Sequence, residues 1–369
     1  MLRKTLFLSL LLAAGLCAMQ APEPVPRKTK RTLDKTSYLQ LAGQWKKYIE
    51  QSGPSAPAWT NLALAYRYSD QTEAARISAE KALALDPDYP PALDELGNLL
   101  SQNSSTMPRA LELLEHCRAV APDYEEGLNM LAVIYLKSGE LDKADDVFRD
   151  IYNQNLIERP LMDYGYNMLV GLPQGAVLFT NGDNDTFPPL VLQAGMGFHT
   201  DVAVLNRHLI KVDAYRNAVF KRYPKIYSGL KERIPFAEDD SIMRTIIGQA
   251  VVPVFLAKTM NRPDKLDLQS DGLNDRVIKA GEKTPPDQSV RLFLEVYRLD
   301  SATDWSFPWD LYPALREMTA NYVLSMLESV KQNAYDLSVR QKILDRAMAI
   351  AKFHGNKDAV REIKMQSCW

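Results

Sequence analysis

Two carboxylates one residue apart, Asp183 and Asp185, stand in the string Asn181-Gly182-Asp183-Asn184-Asp185-Thr186. Oxygen donors at this spacing can hold a hard cation or accept hydrogen bonds from sugar hydroxyls. In an enzyme either acid would serve as general acid or metal ligand, which calls for burial beside a second titrating group. The string is not a phosphatase D-x-D-x-T motif, because Thr186 comes one residue too early. The same residues also suit plain local structure. Asn181-Gly182 makes a turn, and Asp185 or Thr186 caps a helix whose first turn holds Pro188 and Pro189. The four histidines, His116, His199, His208 and His354, lack metal-type spacing. No phosphate loop, nucleophile elbow or Cys-His pair accompanies them. The reading therefore leans away from an enzyme and assigns no catalytic residue, cofactor or metal.

The elements that must position these residues come next. Segments 176–180, 202–205 and 253–258 are short apolar runs of strand type, with 275–279 a fourth candidate. Helical stretches over 188–194, 214–222 and 241–251 separate them. Such alternation predicts a small α/β module over 159–300, Rossmann-like, with a mostly parallel sheet. Ligands of open sheets sit beyond the carboxyl ends of the strands. Those ends carry Asn181, Asp183, Asn184, Asp185 and Thr186, then Asn206 and His208, then Asn261. These eight are candidate contacts for a glycan or a peptide.

Upstream, the period changes. Trp59, Leu62, Ala63 and Tyr66 are followed by Ala75, Ala79, Ala82 and Pro87. The pattern recurs at Leu93, Leu96, Gly97 and Leu100, then Ala110, Leu114, Cys117 and Pro122. It recurs again at Leu128, Leu131, Ala132 and Tyr135, then Ala144, Phe148 and Ile151. The interval is about 34 residues, and the signature resembles the tetratricopeptide repeat (TPR). Small residues at Ala63, Gly97 and Ala132 let paired helices approach. The resemblance implies an α-helical repeat domain over 37–158, with 37–51 as a half-unit covering its first face. It implies a peptide- or protein-binding groove at Thr60, Leu64, Arg67, Asp94, Asn98, Asn129, Val133 and Lys137. Packing of these side chains on the next domain fits them as well.

The stretch 164–211, with L-F-T-N-G-D-N-D-T-F-P and D-V-A-V-L-N, resembles the soluble extracytoplasmic region of a membrane protein O-mannosyltransferase family. That family was formerly catalogued as a domain of unknown function. Residues 253–279 resemble a later part of the same region. The family's multi-pass membrane domain has no counterpart in this sequence, and Pro189-Leu190-Val191 replaces its aromatic pair. The resemblance implies a detached accessory module rather than a transferase, with a glycan or a membrane glycosyltransferase among its partners.

Compartment and partners are bounded by the ends and the charge. Residues 1–18 begin with Arg3 and Lys4 and continue into an apolar run, the pattern of a secretory signal peptide. An exported chain, periplasmic or extracellular, is expected, with a lipoprotein anchor at Cys17 disfavoured because Leu16 precedes it. No other stretch is long and apolar enough to span a bilayer. Residues 19–36, with Pro22, Pro24 and Pro26, read as a flexible linker. The balance of 44 basic against 46 acidic residues argues against a nucleic-acid partner. Only 17 glycines in 369 residues favour helix. Cys117 falls on an apolar helical position, and Cys368 is the other cysteine of the expected exported chain. The aromatic run 304–312 suits stacking on sugars or packing between domains. A C-terminal helical, TPR-like bundle over 301–369 completes the expected plan. The function this favours is a non-catalytic interaction scaffold. The alternative is a glycan-processing or glycosylation-linked enzyme, or an accessory subunit, using Asp183 or Asp185.

Overall fold

The computed structural model describes residues 20–27, 31–226 and 241–367; the expected signal peptide, Cys17 and Cys368 lie outside them. Seven helices come first: α1 (Lys35–Ser52), α2 (Ala56–Tyr68), α3 (Thr72–Leu85), α4 (Pro90–Leu100), α5 (Met107–Val120), α6 (Glu125–Lys137) and α7 (Leu141–Asn153). Local chemistry sets their starts. Asp34 accepts from the Ser37 amide at 2.8 Å at the head of α1, and Ser55 accepts from the Ala58 amide at 3.3 Å at the head of α2. Prolines in the first turn of α2, α4 and α5 occupy positions whose amides have no intrahelical partner. Helices α2/α3, α4/α5 and α6/α7 pack as three pairs, and α1 packs on α2. Ala63 and Ala132 are fully buried at the close approaches. At Gly97 an added Cβ would stand 2.8 Å from Leu114 Cγ, so this contact requires glycine.

Helix α8 (Arg159–Val170) leads into β1 (Val177–Thr180), α9 (Asp183–Met196), β2 (Ala203–Asn206), α10 (Asp213–Arg222), α11 (Ser241–Gln249) and β3 (Val254–Ala257). A hairpin, β4 (Asp267–Asp271) and β5 (Asn274–Ile278), follows. A one-turn α12 (Ser289–Arg291) then continues as a π turn, and α13 (Pro313–Gln332), α14 (Leu337–Phe353) and α15 (Lys357–Ser367) close the chain. The sheet order is β2-β1-β3-β5-β4. Strand β1 pairs in parallel with β2 (Val177 opposite Ala203) and with β3 (Val177 opposite Val254). Strand β5 is antiparallel to both β3 and β4.

The expected mostly parallel sheet is therefore corrected to a mixed one. Its parallel part is β2-β1-β3, and the hairpin extends the far edge. Strand β4 escapes the sequence because Asp-Leu-Gln-Ser-Asp offers no apolar run. The turn is made by Gly272 at φ 62°, a conformation that L side chains seldom adopt.

One apolar core runs from Ala110 and Leu114 of the second repeat through Phe148 of the third. It continues through β1, β2 and β3 and on to Ile363 in α15. A second, smaller core gathers Tyr38, Trp45, Leu62 and Leu64. It also includes Val25, so the expected flexible linker is not free where it is described: residues 20–27 lie against the repeats. Cys117 is buried, and burial pushes its thiol up to about 12, as suits a small core hydrophobe.

Candidate functional site

In a sheet ordered 2-1-3, the crevice for a ligand opens between β1 and β3, beyond their carboxyl ends. Here the chain fills it with its own loop. Asp185 accepts the amides of Asn181 at 2.8 Å and Gly182 at 2.7 Å, and takes a further bond from the Thr259 hydroxyl at the end of β3. Thr186 donates to the Gly182 carbonyl at 2.5 Å. Its oxygen receives the Thr180 hydroxyl at 2.7 Å and the Asn206 amide at 3.0 Å. Those three bonds exhaust a hydroxyl. Asn206 Oδ1 in turn accepts from the His208 and Leu209 amides. Asp185, Thr186 and Asn206 thus tie the ends of three strands together. Burial raises Asp185 above the ordinary carboxylate range, against the Thr259 bond and the amide bonds that pull the other way.

The other residues of the string face outward. Asp183 and Asn184 are exposed in the first turn of α9. Loss of surrounding water and then the Asp185 charge raise Asp183, while His208 and Lys137 oppose the shift. His208 is exposed, and Asn181 is half-buried with its amide given to Asp185. Asn261 is exposed and takes no part in the cavity below.

Asp183 and Asn184 form one wall of a cavity of about 300 Å³. The opposite wall is the repeat groove, through Arg67, Asp94, Asn98, Asn129 and Val133. Two regions read separately in the sequence therefore meet in one space. Thr60 and Leu64 are absent from this wall: Thr60 is buried and donates to the Ala56 carbonyl, and Leu64 belongs to the core that holds Val25. Lys137 stands outside the wall, near enough to act on the charge of Asp183.

The sequence reading missed the rest of the lining. Glu125 and Glu126 open α6, Glu158 precedes α8, Tyr312 precedes α13, and Arg27 and Tyr68 reach in from the repeat side. A Glu-Glu pair at the head of a repeat helix was the available signal. Asp94 bonds to Arg27 at 2.8 Å, and Arg67 turns to Glu95 at 2.7 Å. The lining sets the carboxylates of Asp94, Glu125, Glu126, Glu158 and Asp183 against the guanidinium groups of Arg27 and Arg67, so the cavity is acidic. Asn129 donates to Glu125 at 3.3 Å, and its Oδ1 is buried with no hydrogen-bond partner. An acceptor left this way suits an incoming N–H donor.

A second charged cluster is saturated. Lys258 Nζ, buried, binds Ser270 at 3.0 Å and the carboxylates of Asp275 and Glu328, which Arg262 also bridges. Two cations face two carboxylates and fasten the hairpin to α13. Among the described residues, no group of His, Cys, Asp and Glu side chains is placed to hold a metal ion.

Residues 56–89, which are α2, α3 and the turn after them, match the tetratricopeptide repeat family. The chain carries a tetratricopeptide repeat. Such repeats are protein-interaction scaffolds, and protein partners follow from that. Residues 161–228, from α8 past the end of α10, match TMEM260-associated domain 2. The first match falls within the region read as repeats, and the second contains the stretch 164–211 whose resemblance was read in the sequence. No curated protein matches the chain. A solved structure titled "Crystal structure of MamA" is 21% identical over 33% of this chain and 74% of that one, with a TM-score of 0.29.

Proposed function

We propose that this repeat protein is an exported, non-catalytic scaffold that docks a polypeptide segment of a partner in the cavity between the repeat groove and α9. The observation that carries this reading is the division of labour in the 181–186 string. Asp185 and Thr186 are consumed by internal hydrogen bonds, while Asp183 and Asn184 join five groove residues around one acidic space. Asparagine amides at Asn98, Asn129 and Asn184 pair with peptide groups, and the carboxylates favour a segment rich in Lys or Arg. Export is supported by the basic-then-apolar start of the sequence. No helix among the described residues is long and apolar enough to cross a membrane.

The test is a selection of peptides from a random library on the full chain, run beside a glycan array. Basic peptides should be enriched. Combined Glu125→Gln, Glu126→Gln and Asp183→Asn should weaken them about tenfold or more and flatten the salt dependence of binding, since the screened charges are gone. Enrichment of peptides indifferent to these substitutions would defeat the cavity assignment. Glycan binding lost with Asp183→Asn, without any peptide, would replace the polypeptide reading by the glycan one.

A further inference from the structure

Residues 20–27 lie against the repeats in the way a bound peptide would. The Val25 amide donates to Asn61 Oδ1 at 2.8 Å, and the Val25 side chain is buried in the core around Tyr38 and Trp45. The Glu23 carbonyl accepts from Trp45 Nε1 at 3.2 Å. Arg27 reaches Asp94 at 2.8 Å, Glu95 at 3.9 Å and the Tyr124 hydroxyl at 2.8 Å. These are the three elements of peptide recognition: main-chain hydrogen bonds, one apolar pocket and one charge anchor. Prolines at 22, 24 and 26 restrict the unbound segment and lower the cost of ordering it.

The anchor defines the ligand. The Asp94 and Glu95 side chains are 2% and 0% exposed, and Arg67 is the other guanidinium bonded to Glu95. Without Arg27 the pair would keep two buried carboxylates with one close guanidinium, an arrangement that low-dielectric surroundings penalise heavily. Whatever leaves this site must be replaced by a cation with donors in a fork. The hold is also shallow. Gln20, Ala21, Glu23 and Pro24 are exposed, and Val25 is the one buried side chain of the segment.

Resting on the docking reading above and deepening it, we propose that the groove formed by α1, α2 and α4 is a binding site for an extended, proline-spaced, arginine-bearing peptide. Residues 20–27 are its built-in occupant, and a partner's segment binds by displacing them. The tether gives the resident segment an effective concentration on the order of millimolar, so with an intrinsic dissociation constant of roughly 100 μM for that segment any competitor would lose about tenfold in apparent affinity.

The experiment uses a fluorescent peptide with the sequence of residues 20–27 and the full chain, read by anisotropy. A full-chain variant with Val25→Ser and Arg27→Ala should bind the peptide saturably and at least tenfold more tightly than the unaltered chain. A peptide carrying Arg27→Ala should lose at least tenfold. In the unaltered chain, millimolar peptide should speed hydrogen exchange at the Val25 amide about tenfold. A variant that keeps its melting curve yet does not bind, or binds both peptides alike, overturns the proposal. If that variant does not fold, the exchange measurement decides: unchanged Val25 exchange shows that the segment is only a structural strap. Failure here beside library peptides that still bind the cavity would leave the docking reading standing.

Discussion

Asp183 and Asp185 sit in the same turn of α9 with opposite duties, and the difference lies in what each oxygen touches. Asp185 is held by two amides and a threonine, whereas Asp183 looks into the cavity. The sequence offers Asp185 as a helix cap, and its bonds to the Asn181 and Gly182 amides are of that local kind; the Thr259 bond depends on β3 and is not local. The Thr186 hydroxyl is the hub between β1, β2 and the 182 turn. Thr186→Val keeps the shape and strands the Asn206 amide and the Gly182 carbonyl, which should cost about 3 kcal/mol. Urea unfolding measures this, and a loss below a few tenths would show that the bonds are dispensable.

Asp271, at the β4 end of the hairpin, makes the pH prediction. Burial, then Asp287, raises it to about 6 from 3.8. Because the folded state holds this proton more tightly than the unfolded one, its contribution is fully present below about pH 4. It is lost as pH rises through 6. The span of about two units corresponds to roughly 3 kcal/mol. Asp271→Asn should therefore gain on the parent between pH 4 and pH 8 by up to that amount, as read from paired urea midpoints. Equal pH profiles would rule this out.

At the scale of elements, what was legible depended on whether the residues that make an element also reveal it. The repeats are legible because each helix needs its small and large residues at fixed places. Gly97 is the sharpest of these: Gly97→Ala puts a methyl 2.8 Å from Leu114 Cγ and should cost about 1–3 kcal/mol by overpacking. Adding Leu114→Ala should recover part of that loss, so the pair should be less than additive in thermal or urea unfolding. Simple additivity would mean that the two helices do not meet there. Strand β4 was hidden because its partner β5, and not its own composition, makes it a strand. Residues 20–27 were hidden for a related reason. Three prolines and a run of basic residues read as linker, and the carboxylates that hold Arg27 lie far along the chain, on α4.

The whole molecule joins parts that the sequence presents in series. Phe148 of α7 meets Phe187 of α9 with ring centroids 5.5 Å apart, and Val147, Phe148 and Ile151 of the last repeat are fully buried. Their shared core continues through the sheet into α14 and α15. The cavity exists because of this fusion, since its walls come from the repeats, α9 and the start of α13. No local pattern could have announced it; the groove positions and the Asp183 loop were each legible, and their meeting was not. A repeat array that depends on its neighbour in this way has no solvent-facing cap at α7. Cutting the chain after residue 158 should then expose the apolar face of α7. The fragment is expected to bind a hydrophobic dye and to lose the sharp thermal transition of the full chain. A fragment that melts as cooperatively as the full chain, without dye binding, would mean that the repeats close their own core and that the α/β module is an attachment. The acidic cavity would then be a seam between independent bodies, and its affinity for basic segments would vary with how they swing.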